Sequence, residues 1–516
     1  MGARRPTTQA MTAQGTTPRS PAASPGQGVL DAVVVGSGFG GLGAALSLAE
    51  RGARVVLCEA LNYPGGCAST FSRDGYRFEA GATLFSGFAE GQLFRRWIDA
   101  HGLEVPLDWL EPVVELRAPL GEDPAAVLAI GRHPGDLERA LAALPGAPAE
   151  ALARFFALQR RVADTLWEVL EDERLLPPLG PAALARHALR LPRYAPLASL
   201  VGRPLSTVLA RYGLADWQPL RLALDALCQI TVQCGVDEAE APMALSVMDY
   251  YSRGTAHVRG GIGTLATAMA GAIERAGSEV RFSSRVRSAR REGDLWAVET
   301  RTGTLRARAL LLNLLPEDAA RLLDSSSRRL ARLQQRVEGG WGAAMLYRVV
   351  RTPSGAAASP HHLQLVADAG KPLRDGNHCF VSISGEADAG RAPAGHRTVT
   401  VSTHVAIGAK GDAAARTQEV QDCMRATLAL RAPEWEEIVH ELPGSPRTFA
   451  RFTGRTRGWV GGIPRRAGLA NYGQLGPLRI DRAAWLIGDT AFPGQSTLAT
   501  ATGGVQTATA VLKSLR

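Results

Sequence analysis

The chain has few of the features that mark a secreted, metal-binding or membrane-spanning protein. Its six cysteines form no C-x-x-C pair and no regular framework, which favours a reducing compartment over secretion. Its ten histidines have no ligand spacing with cysteine or carboxylate residues, so no metal site is predicted. No apolar run reaches the roughly 18 residues that a membrane-spanning helix needs. We therefore expect a cytoplasmic protein, either soluble or bound peripherally to the inner face of a membrane.

Lysine and aromatic residues are also scarce. There are three lysines, Lys371, Lys410 and Lys513, and aromatic residues make up 6% of the chain, so the net charge of +9 comes from arginine. These arginines are scattered, and no RNP or zinc pattern accompanies them, so nucleic acid is not a predicted partner. Anionic lipid headgroups would suit the charge better. A simple abundance of arginine explains it equally well.

The most informative feature that is present is a glycine turn between an apolar strand and a helix. Residues 31–35 predict a buried strand, and Gly36, Gly38 and Gly41 follow it in the G-x-G-x-x-G spacing. These glycines permit a tight turn, close approach of the backbone to a pyrophosphate, and close packing of the next helix. The apolar stripe over residues 42–49 predicts that helix, whose free N–H groups would face the phosphates.

A second apolar strand, predicted over residues 54–58, is followed directly by Glu59. A carboxylate at this position accepts hydrogen bonds from the ribose hydroxyls of an adenosine and repels a 2′-phosphate, which favours FAD or NAD over NADP. Strand, turn, helix, strand and acid occur in the required order. The sequence therefore predicts a pocket for the ADP part of a dinucleotide.

Three further segments resemble FAD enzymes of the amine oxidase and phytoene desaturase superfamily. Residues 63–71 (YPGGCASTF) and 75–83 (GYRFEAGAT) resemble the second fingerprint of these enzymes, and residues 485–497 (WLIGDTAFPGQST) resemble the third. The residues of these segments most resemble those of carotenoid isomerases and the related carotenoid 3′,4′-desaturases. Two positions depart from the usual pattern: Cys67 stands where many bacterial phytoene desaturases have arginine, and Glu79 stands where aspartate is usual. The cysteine favours the isomerase-like branch.

The resemblance implies a set of cofactor-binding residues. Asp489 would hold the ribityl or pyrophosphate part of FAD, and the helix that follows would face the N1 and C2 carbonyl edge of the flavin, where reduction places negative charge. Val286 would meet the adenine through its backbone. Cys67 is interpreted as a small residue at a close approach. The full predicted set is Gly36, Ser37, Gly38, Phe39, Gly40, Gly41, Glu59, Gly65, Gly66, Cys67, Gly81, Ala82, Thr83, Val286, Gly488, Asp489, Ser496 and Thr497.

The predicted fold class is α/β, with a discontinuous Rossmann-like FAD-binding domain and a mixed α+β substrate domain made of an antiparallel sheet and helices. Alternating runs over 344–350, 379–384 and 398–404 predict strands of that sheet. The glycines at 260–263 predict the start of a helix and not a second dinucleotide site.

The expected divisions are 1–29, a disordered tail; 30–89, 255–340 and 451–516, the FAD-binding domain; 90–254, a helical substrate or lid region; and 341–450, the substrate-domain sheet.

A basic, leucine-rich stretch over residues 181–202 could lie on a membrane with its arginines near phosphates. An ordinary lid or core helix pair explains the same stretch equally well.

The predicted function is FAD-dependent desaturation, or isomerisation, of a carotenoid or related isoprenoid polyene, with quinone or oxygen as electron acceptor. The alternatives are an amine oxidase or an NAD(P)H-linked reductase of the same superfamily, and a non-enzymatic FAD-binding scaffold. Acid or base groups near the flavin could be His257, Arg259, Glu79, Asp249, Tyr250 and Tyr251. The sequence favours none of them as the catalyst.

Overall fold

The computed structural model describes residues 28–177, 179–408 and 413–516. The predicted disordered tail therefore lies outside the described residues, apart from Gly28 and Val29. Within the described residues the strands are β1 (Leu30–Val35), β2 (Val55–Cys58), β3 (Thr70–Arg73), β4 (Tyr76–Glu79), β5 (Leu107–Trp109), β6 (Val114–Leu120), β7 (Asp123–Ile130), β8 (Ala256–Val258), β9 (Glu279–Arg281), β10 (Ser288–Glu292), β11 (Leu295–Thr300), β12 (Gly303–Leu312), β13 (Gly342–Arg351), β14 (His361–Val366), β15 (His378–Ile383), β16 (His396–Val405), β17 (Ile438–Gly444), β18 (Leu478–Asp481) and β19 (Ala484–Leu486).

The α-helices are α1 (Phe39–Ala49), α2 (Leu93–His101), α3 (Asp136–Ala142), α4 (Ala149–Glu171), α5 (Pro181–Tyr194), α6 (Leu205–Arg211), α7 (Gln218–Thr231), α8 (Ala241–Val247), α9 (Gly263–Arg275), α10 (Pro316–Leu322), α11 (Arg328–Val337), α12 (Ala413–Arg431), α13 (Pro446–Thr453) and α14 (Thr497–Leu515). Short 3₁₀ helices cover Glu173–Leu175, Ala195–Ser199, Pro433–Trp435, Thr456–Gly458 and Leu469–Gln474. Among the described residues, no helix has both the length and the apolar content to cross a bilayer.

The first sheet draws its strands from three distant parts of the chain. Its parallel centre has the order β9, β2, β1, β12, β19. The strand β12 is long enough to pair with β11 along its first half and with β19 along its second half. Residues from the beginning, the middle and the end of the sequence therefore meet in one sheet. The domain divisions predicted from the sequence stay predictions.

The second sheet has seven strands in the order β17, β13, β16, β15, β14, β6, β7. Three of the predicted strands appear here as β13, β15 and β16. The hairpin β6–β7 comes from the region that was predicted to be largely helical. Alternate residues of β6 are buried, and this period of two is the pattern of a strand with one face on a core. The sheet packs one apolar face on α12, through residues such as Val381 and Val401 against Met424.

The helices α1 and α14 pack backbone against backbone at the side of the first sheet. A Cβ at Gly43 of α1 would lie 2.7 Å from the carbonyl oxygen of Ala501, and one at Gly504 of α14 would lie 2.7 Å from the Ala44 nitrogen. Only glycine permits this approach. All eleven residues of α1 are buried. The contact therefore fixes the start of the chain against its end.

A buried ion pair connects the two-stranded sheet formed by β3 and β4 to the second sheet. Glu79, at the end of β4, lies 3.4 Å from Arg391 of the loop before β16, and both side chains are about 2% exposed or less. The carboxylate of Glu79 also accepts hydrogen bonds from the Thr70 hydroxyl at 3.1 Å and from the Ile262 backbone N–H at 3.2 Å. Burial raises the pKa of Glu79, while the charges of Arg391 and His257 oppose the rise. Glu79 therefore has a positioning role between β3, the start of α9 and the second sheet.

We expect Glu79→Gln to lower the free energy of unfolding by about 3–5 kcal/mol, because it leaves the Arg391 guanidinium buried without a counter-charge. The control is Glu437→Gln, whose partner Arg351 and own carboxylate are 62% and 70% exposed, and which should cost less than about 1 kcal/mol. Urea unfolding followed by far-UV circular dichroism measures both. Equal losses in the two variants would contradict the assigned role of Glu79.

Candidate functional site

A cavity of about 880 Å³ lies at the carboxyl ends of the parallel strands of the first sheet. Gly36 follows β1, Glu59 follows β2, Asn313 follows β12 and Gly488 closely follows β19, and all four line the cavity. The carboxyl edge of a parallel sheet is where ligands bind in open α/β folds. The volume is near the upper end of the roughly 300–1,000 Å³ that small-molecule sites occupy.

The glycine turn forms a backbone cradle at one end of the cavity. Gly38 is the N-cap of α1 and no side chain caps the helix, so its first N–H groups stay available to a ligand. The Asn313 amide donates to the Gly36 carbonyl at 3.3 Å and holds the turn from the opposite side. A Cβ at Gly38 would lie 2.7 Å from the Asn313 Nδ2 atom. Any side chain at position 38 would therefore fill the cradle.

Glu59 is held in place by its own neighbours. One carboxylate oxygen accepts from the Ser37 N–H at 2.8 Å and from the Ser37 hydroxyl at 2.7 Å, and the other accepts from the Leu61 N–H at 2.8 Å. The carboxylate lines the cavity and is 8% exposed. Glu59 therefore has a fixed orientation at the cavity, and Ser37 is a positioning residue for it.

The segment with the second fingerprint lies directly on the glycine turn. The Gly65 N–H donates to the Ser37 carbonyl at 2.9 Å, and Gly38 and Gly65 form a parallel bridge. The Ala82 N–H in turn donates to the Cys67 carbonyl at 3.3 Å. Burial raises the pKa of the Cys67 thiol, with the Arg455 charge opposing it, so the thiol stays protonated at neutral pH. This agrees with the interpretation of Cys67 as a small packing residue.

The segment with the third fingerprint closes the same end of the cavity. Asp489 Oδ2 lies 2.8 Å from Arg455 Nη2. Ser496 is the N-cap of α14, where its hydroxyl accepts from the Ala499 N–H at 3.0 Å. The Thr497 hydroxyl, on a side chain that is 4% exposed, has no hydrogen-bond partner among the described residues. The start of α14 therefore presents an unused polar group at the cavity.

The structure brings the predicted site residues together, with two exceptions. Ser37 lies behind Glu59. Gly41 packs inside α1 against the Gly36 carbonyl. The predicted residues that line the cavity are Gly36, Gly38, Phe39, Gly40, Glu59, Gly65, Gly66, Cys67, Gly81, Ala82, Thr83, Val286, Gly488, Asp489, Ser496 and Thr497.

The cavity continues into an apolar half between α4, α7, α8 and the second sheet. The apolar residues lining this part are Leu84, Leu166, Trp167, Val169, Leu170, Leu176, Ile230, Val232, Met243, Val247, Met345, Phe380 and Leu498. Two titratable side chains accompany them. Burial lowers the pKa of His404 to about 4 and raises the pKa of Tyr250 to about 12. Both are therefore uncharged at neutral pH.

Of the acid or base groups considered in the sequence, Tyr250 lines the cavity and the others do not. Arg259 pairs with Asp108 on the surface, and Asp249 binds Gln159 and Arg253. The Tyr251 hydroxyl accepts a hydrogen bond from Gln364, and His257 lies 3.8 Å from Asp388. No group of three or more histidine, cysteine or acidic side chains among the described residues could hold a metal ion.

Sequence reasoning missed several residues at the cavity. Arg285 and Arg287 flank Val286, and Arg455, Arg465 and His404 come from the later part of the chain. Arg285 and Arg287 could have been found from the sequence, because they are the direct neighbours of Val286, which the resemblance had already assigned to the site. The other three belong to no recognised motif. Their place depends on how α13, the loop after it and β16 pack around the cavity.

Comparison with known proteins identifies the family. Residues 39–451 match the family described as flavin containing amine oxidoreductase. The chain belongs to this family. It is 25% identical to the chloroplastic prolycopene isomerase of Arabidopsis thaliana over 94% of this chain and 82% of that protein. It is 32% identical to the neurosporene-forming phytoene desaturase of Rhodobacter capsulatus over 30% of each chain.

A solved structure of putrescine oxidase with bound putrescine shares the fold, with a TM-score of 0.62 at 16% identity over 94% of this chain and 99% of that one. The predicted fold class, a Rossmann-like FAD domain with a mixed α+β substrate domain, is confirmed. The cofactor is FAD and the protein is an FAD-dependent enzyme. The cradle at Gly38 and the unpartnered Thr497 hydroxyl fit such a group.

Replacement of Gly38 by valine should abolish FAD binding, because the new side chain would occupy the cradle beside Asn313. The flavin absorbance per mole of purified protein measures the effect. The control is Gly473→Val, because Gly473 is exposed and nothing lies within 4 Å of its Cβ position. Full flavin retention by the Gly38 variant would show that the turn has been misinterpreted.

Proposed function

We propose that this protein desaturates or isomerises a carotenoid or a related isoprenoid polyene. The observation that carries the proposal is the continuity of the FAD end of the cavity with its apolar half. A hydrocarbon offers no charge and no strong hydrogen-bonding group. Its binding must therefore come from buried apolar surface, at about 25 cal/mol per Å². The printed functions of the isomerase and desaturase relatives support the same substrate class.

We further propose roles for the residues at the FAD end. The glycine turn and the start of α1 bind the pyrophosphate, Glu59 binds the adenosine ribose, Val286 meets the adenine, and Asp489 holds the ribityl or pyrophosphate part. The contacts that fix Glu59 and the free N–H groups of α1 support these roles.

FAD supplies the redox chemistry, as a hydride acceptor in desaturation or as a donor of electron density in isomerisation. The residues of this chain bind the polyene and keep water away from it. The neutral forms of His404 and Tyr250 suit an uncharged substrate. Desaturation also needs an electron acceptor, for which we propose a quinone or oxygen.

Two observations weigh against the rival functions. An amine oxidase commonly has a lysine near its flavin, and no described lysine lines the cavity. An NAD(P)H-linked reductase would need a second nucleotide site, but the turn at 260–263 has its N–H groups occupied. Asp388 accepts from Gly260 at 2.9 Å, and the Thr70 hydroxyl accepts from Gly263 at 2.9 Å.

We also propose that the protein binds an anionic membrane surface through α5. Leu184, Leu189 and Leu191 of this helix are 56%, 83% and 63% exposed. Its opposite side holds polar contacts: His187 bonds the Tyr194 hydroxyl at 2.7 Å, and Arg190 bonds a Glu168 carboxylate oxygen at 3.2 Å. The helix thus turns its apolar face outward, the reverse of a surface helix in water.

Neighbouring parts of the surface support this proposal. Leu469 is 69% exposed in a segment that meets the end of the leucine-rich stretch, where the Gly468 N–H donates to the Gly202 carbonyl at 2.9 Å. Leu176 lines the cavity, and the carbonyl of the adjacent Leu175 bonds His187 of α5 at 2.9 Å. A lipid substrate could therefore pass from the bilayer to the cavity beside α5.

Expression in cells that make lycopene or another acyclic carotenoid tests the catalytic proposal. Desaturation should give a pigment with a longer chromophore and two fewer hydrogens for each new double bond. Isomerisation should change the cis/trans pattern at constant mass. The Gly38→Val variant, without its cofactor, should give neither. Unchanged pigment with several precursors would contradict the proposal.

The membrane proposal predicts that replacing Leu184, Leu189 and Leu191 together by glutamine weakens binding to phosphatidylglycerol vesicles by at least about 10-fold, because each leucine loses buried apolar area. The control variant replaces Leu430, Ile438 and Val439, which are also exposed, by glutamine. It should bind the vesicles as well as the unmodified protein does. Vesicle co-sedimentation measures both. Equal binding by the two triple variants would rule out α5 as the membrane contact.

A further inference from the structure

Arg455 is a charged residue of the cavity wall that no sequence motif indicated. Its side chain is 16% exposed and lies 2.8 Å from Asp489, between Nη2 and Oδ2, and its Nε–H donates to the Trp459 carbonyl at 2.5 Å. Apart from these two contacts, no hydrogen-bond acceptor among the described residues meets its guanidinium. A guanidinium has five N–H donors. Most donors of Arg455 are therefore available to a ligand in the cavity.

The segment with the second fingerprint brings Arg455 close to the glycine turn. A Cβ at Gly66 would lie 3.3 Å from the Gly38 Cα atom, so the backbones of these two segments are in contact. The next residue, Cys67, hydrogen-bonds through its thiol to Thr453, two positions before Arg455, and the charge of Arg455 acts on the same thiol. Arg455 thus places a positive charge beside the position where this chain has cysteine and many bacterial phytoene desaturases have arginine.

The segment with the third fingerprint brings Arg455 to the same turn by a second route. A Cβ at Gly40, in the first turn of α1, would lie 3.0 Å from the Gly488 Cα atom. Asp489 follows Gly488 and pairs with Arg455. Arg455 therefore contacts both segments that pack on the start of α1, where the proposed pyrophosphate site lies.

The chemistry of Asp489 and Arg455 separates their roles. An ionised carboxylate only accepts hydrogen bonds, and phosphate oxygens do the same, so a carboxylate cannot hold a pyrophosphate and repels it. The ribityl hydroxyls of FAD, in contrast, can donate to Asp489. The planar fork of a guanidinium can meet a carboxylate and a phosphate together. Arg455 is thus the group of this pair that suits the pyrophosphate.

We infer that Arg455 binds the pyrophosphate of FAD, and that Asp489 orients Arg455 and accepts hydrogen bonds from the ribityl chain. This inference rests on the cofactor placement proposed above and deepens it, because it assigns the ribityl and pyrophosphate parts to two different residues. The N–H groups at the start of α1 offer the pyrophosphate a partial positive charge. Arg455 adds a full charge.

The test measures the FAD dissociation constant of the full-length protein by ultrafiltration and flavin fluorescence, without any polyene. Arg455→Gln should weaken FAD binding at least about 10-fold, because hydrogen bonds between charged groups are lost. Arg455→Lys keeps the charge without the fork and should recover part of this loss. The matched control is Arg457→Gln, because Arg457 is 54% exposed, lies 3.8 Å from Glu338 and does not line the cavity. Its FAD affinity should be unchanged.

A double variant separates a direct contact from a structural role. If Arg455 only neutralised Asp489, the combination of Arg455→Gln with Asp489→Asn would restore FAD affinity. Under the inference the double variant stays at least about 10-fold weaker than the unmodified protein. Restored affinity in the double variant would overturn the inference, as would unchanged affinity in Arg455→Gln or an equal loss in Arg457→Gln.

Circular dichroism shows whether each variant folds. If Arg455→Gln does not fold, Arg455→Lys decides: its FAD binding should be at least about 3-fold weaker, because an ammonium cannot replace the fork. Unchanged affinity in the lysine variant would then overturn the inference. FAD content of the unmodified protein and the pigment assay test the proposed function separately.

Discussion

The close packing of α1 against α14 is the constraint on which the site depends. The glycine turn before α1 and the Gly-Asp segment before α14 are separated by more than 400 residues in the sequence, yet both line one cavity. The contacts of Gly43 with Ala501 and of Gly504 with Ala44 leave no room for a side chain. Because protein interiors are packed as densely as organic crystals, even a methyl group there would separate the two helices and open the cofactor site.

A second constraint sets the position of the second sheet beside the cavity. The buried pair of Glu79 and Arg391 connects this sheet to β4, and the Tyr347 hydroxyl donates to the Ala80 carbonyl at 2.6 Å in the same region. Glu79 also caps the first turn of α9 through Ile262. One carboxylate thus contacts β3, the start of α9 and the loop before β16. These three contacts account for the burial of an acid at this position.

The sequence allowed the local parts of this arrangement to be predicted, and the long-range parts escaped prediction. Gly38 and Glu59 lie in a continuous strand–turn–helix–strand unit whose geometry follows from spacing alone. The Gly488–Asp489 pair was recognised by its resemblance to a known motif. The position of Arg465 at the cavity, in contrast, depends on the packing of segments that are distant in the chain. No local sequence pattern indicates that position. The hairpin β6–β7 escaped prediction because the helical patterns around it dominated that region.

The distribution of polar groups in the cavity agrees with the difference between FAD and the proposed polyene substrate. A cofactor with phosphates, hydroxyls and a reducible ring can satisfy the hydrogen-bonding groups of α1, Glu59, Asp489 and α14. A hydrocarbon can satisfy none, so any charge along its path would stay unpaired and weaken its binding. Uncharged His404 and the apolar wall around it meet this requirement.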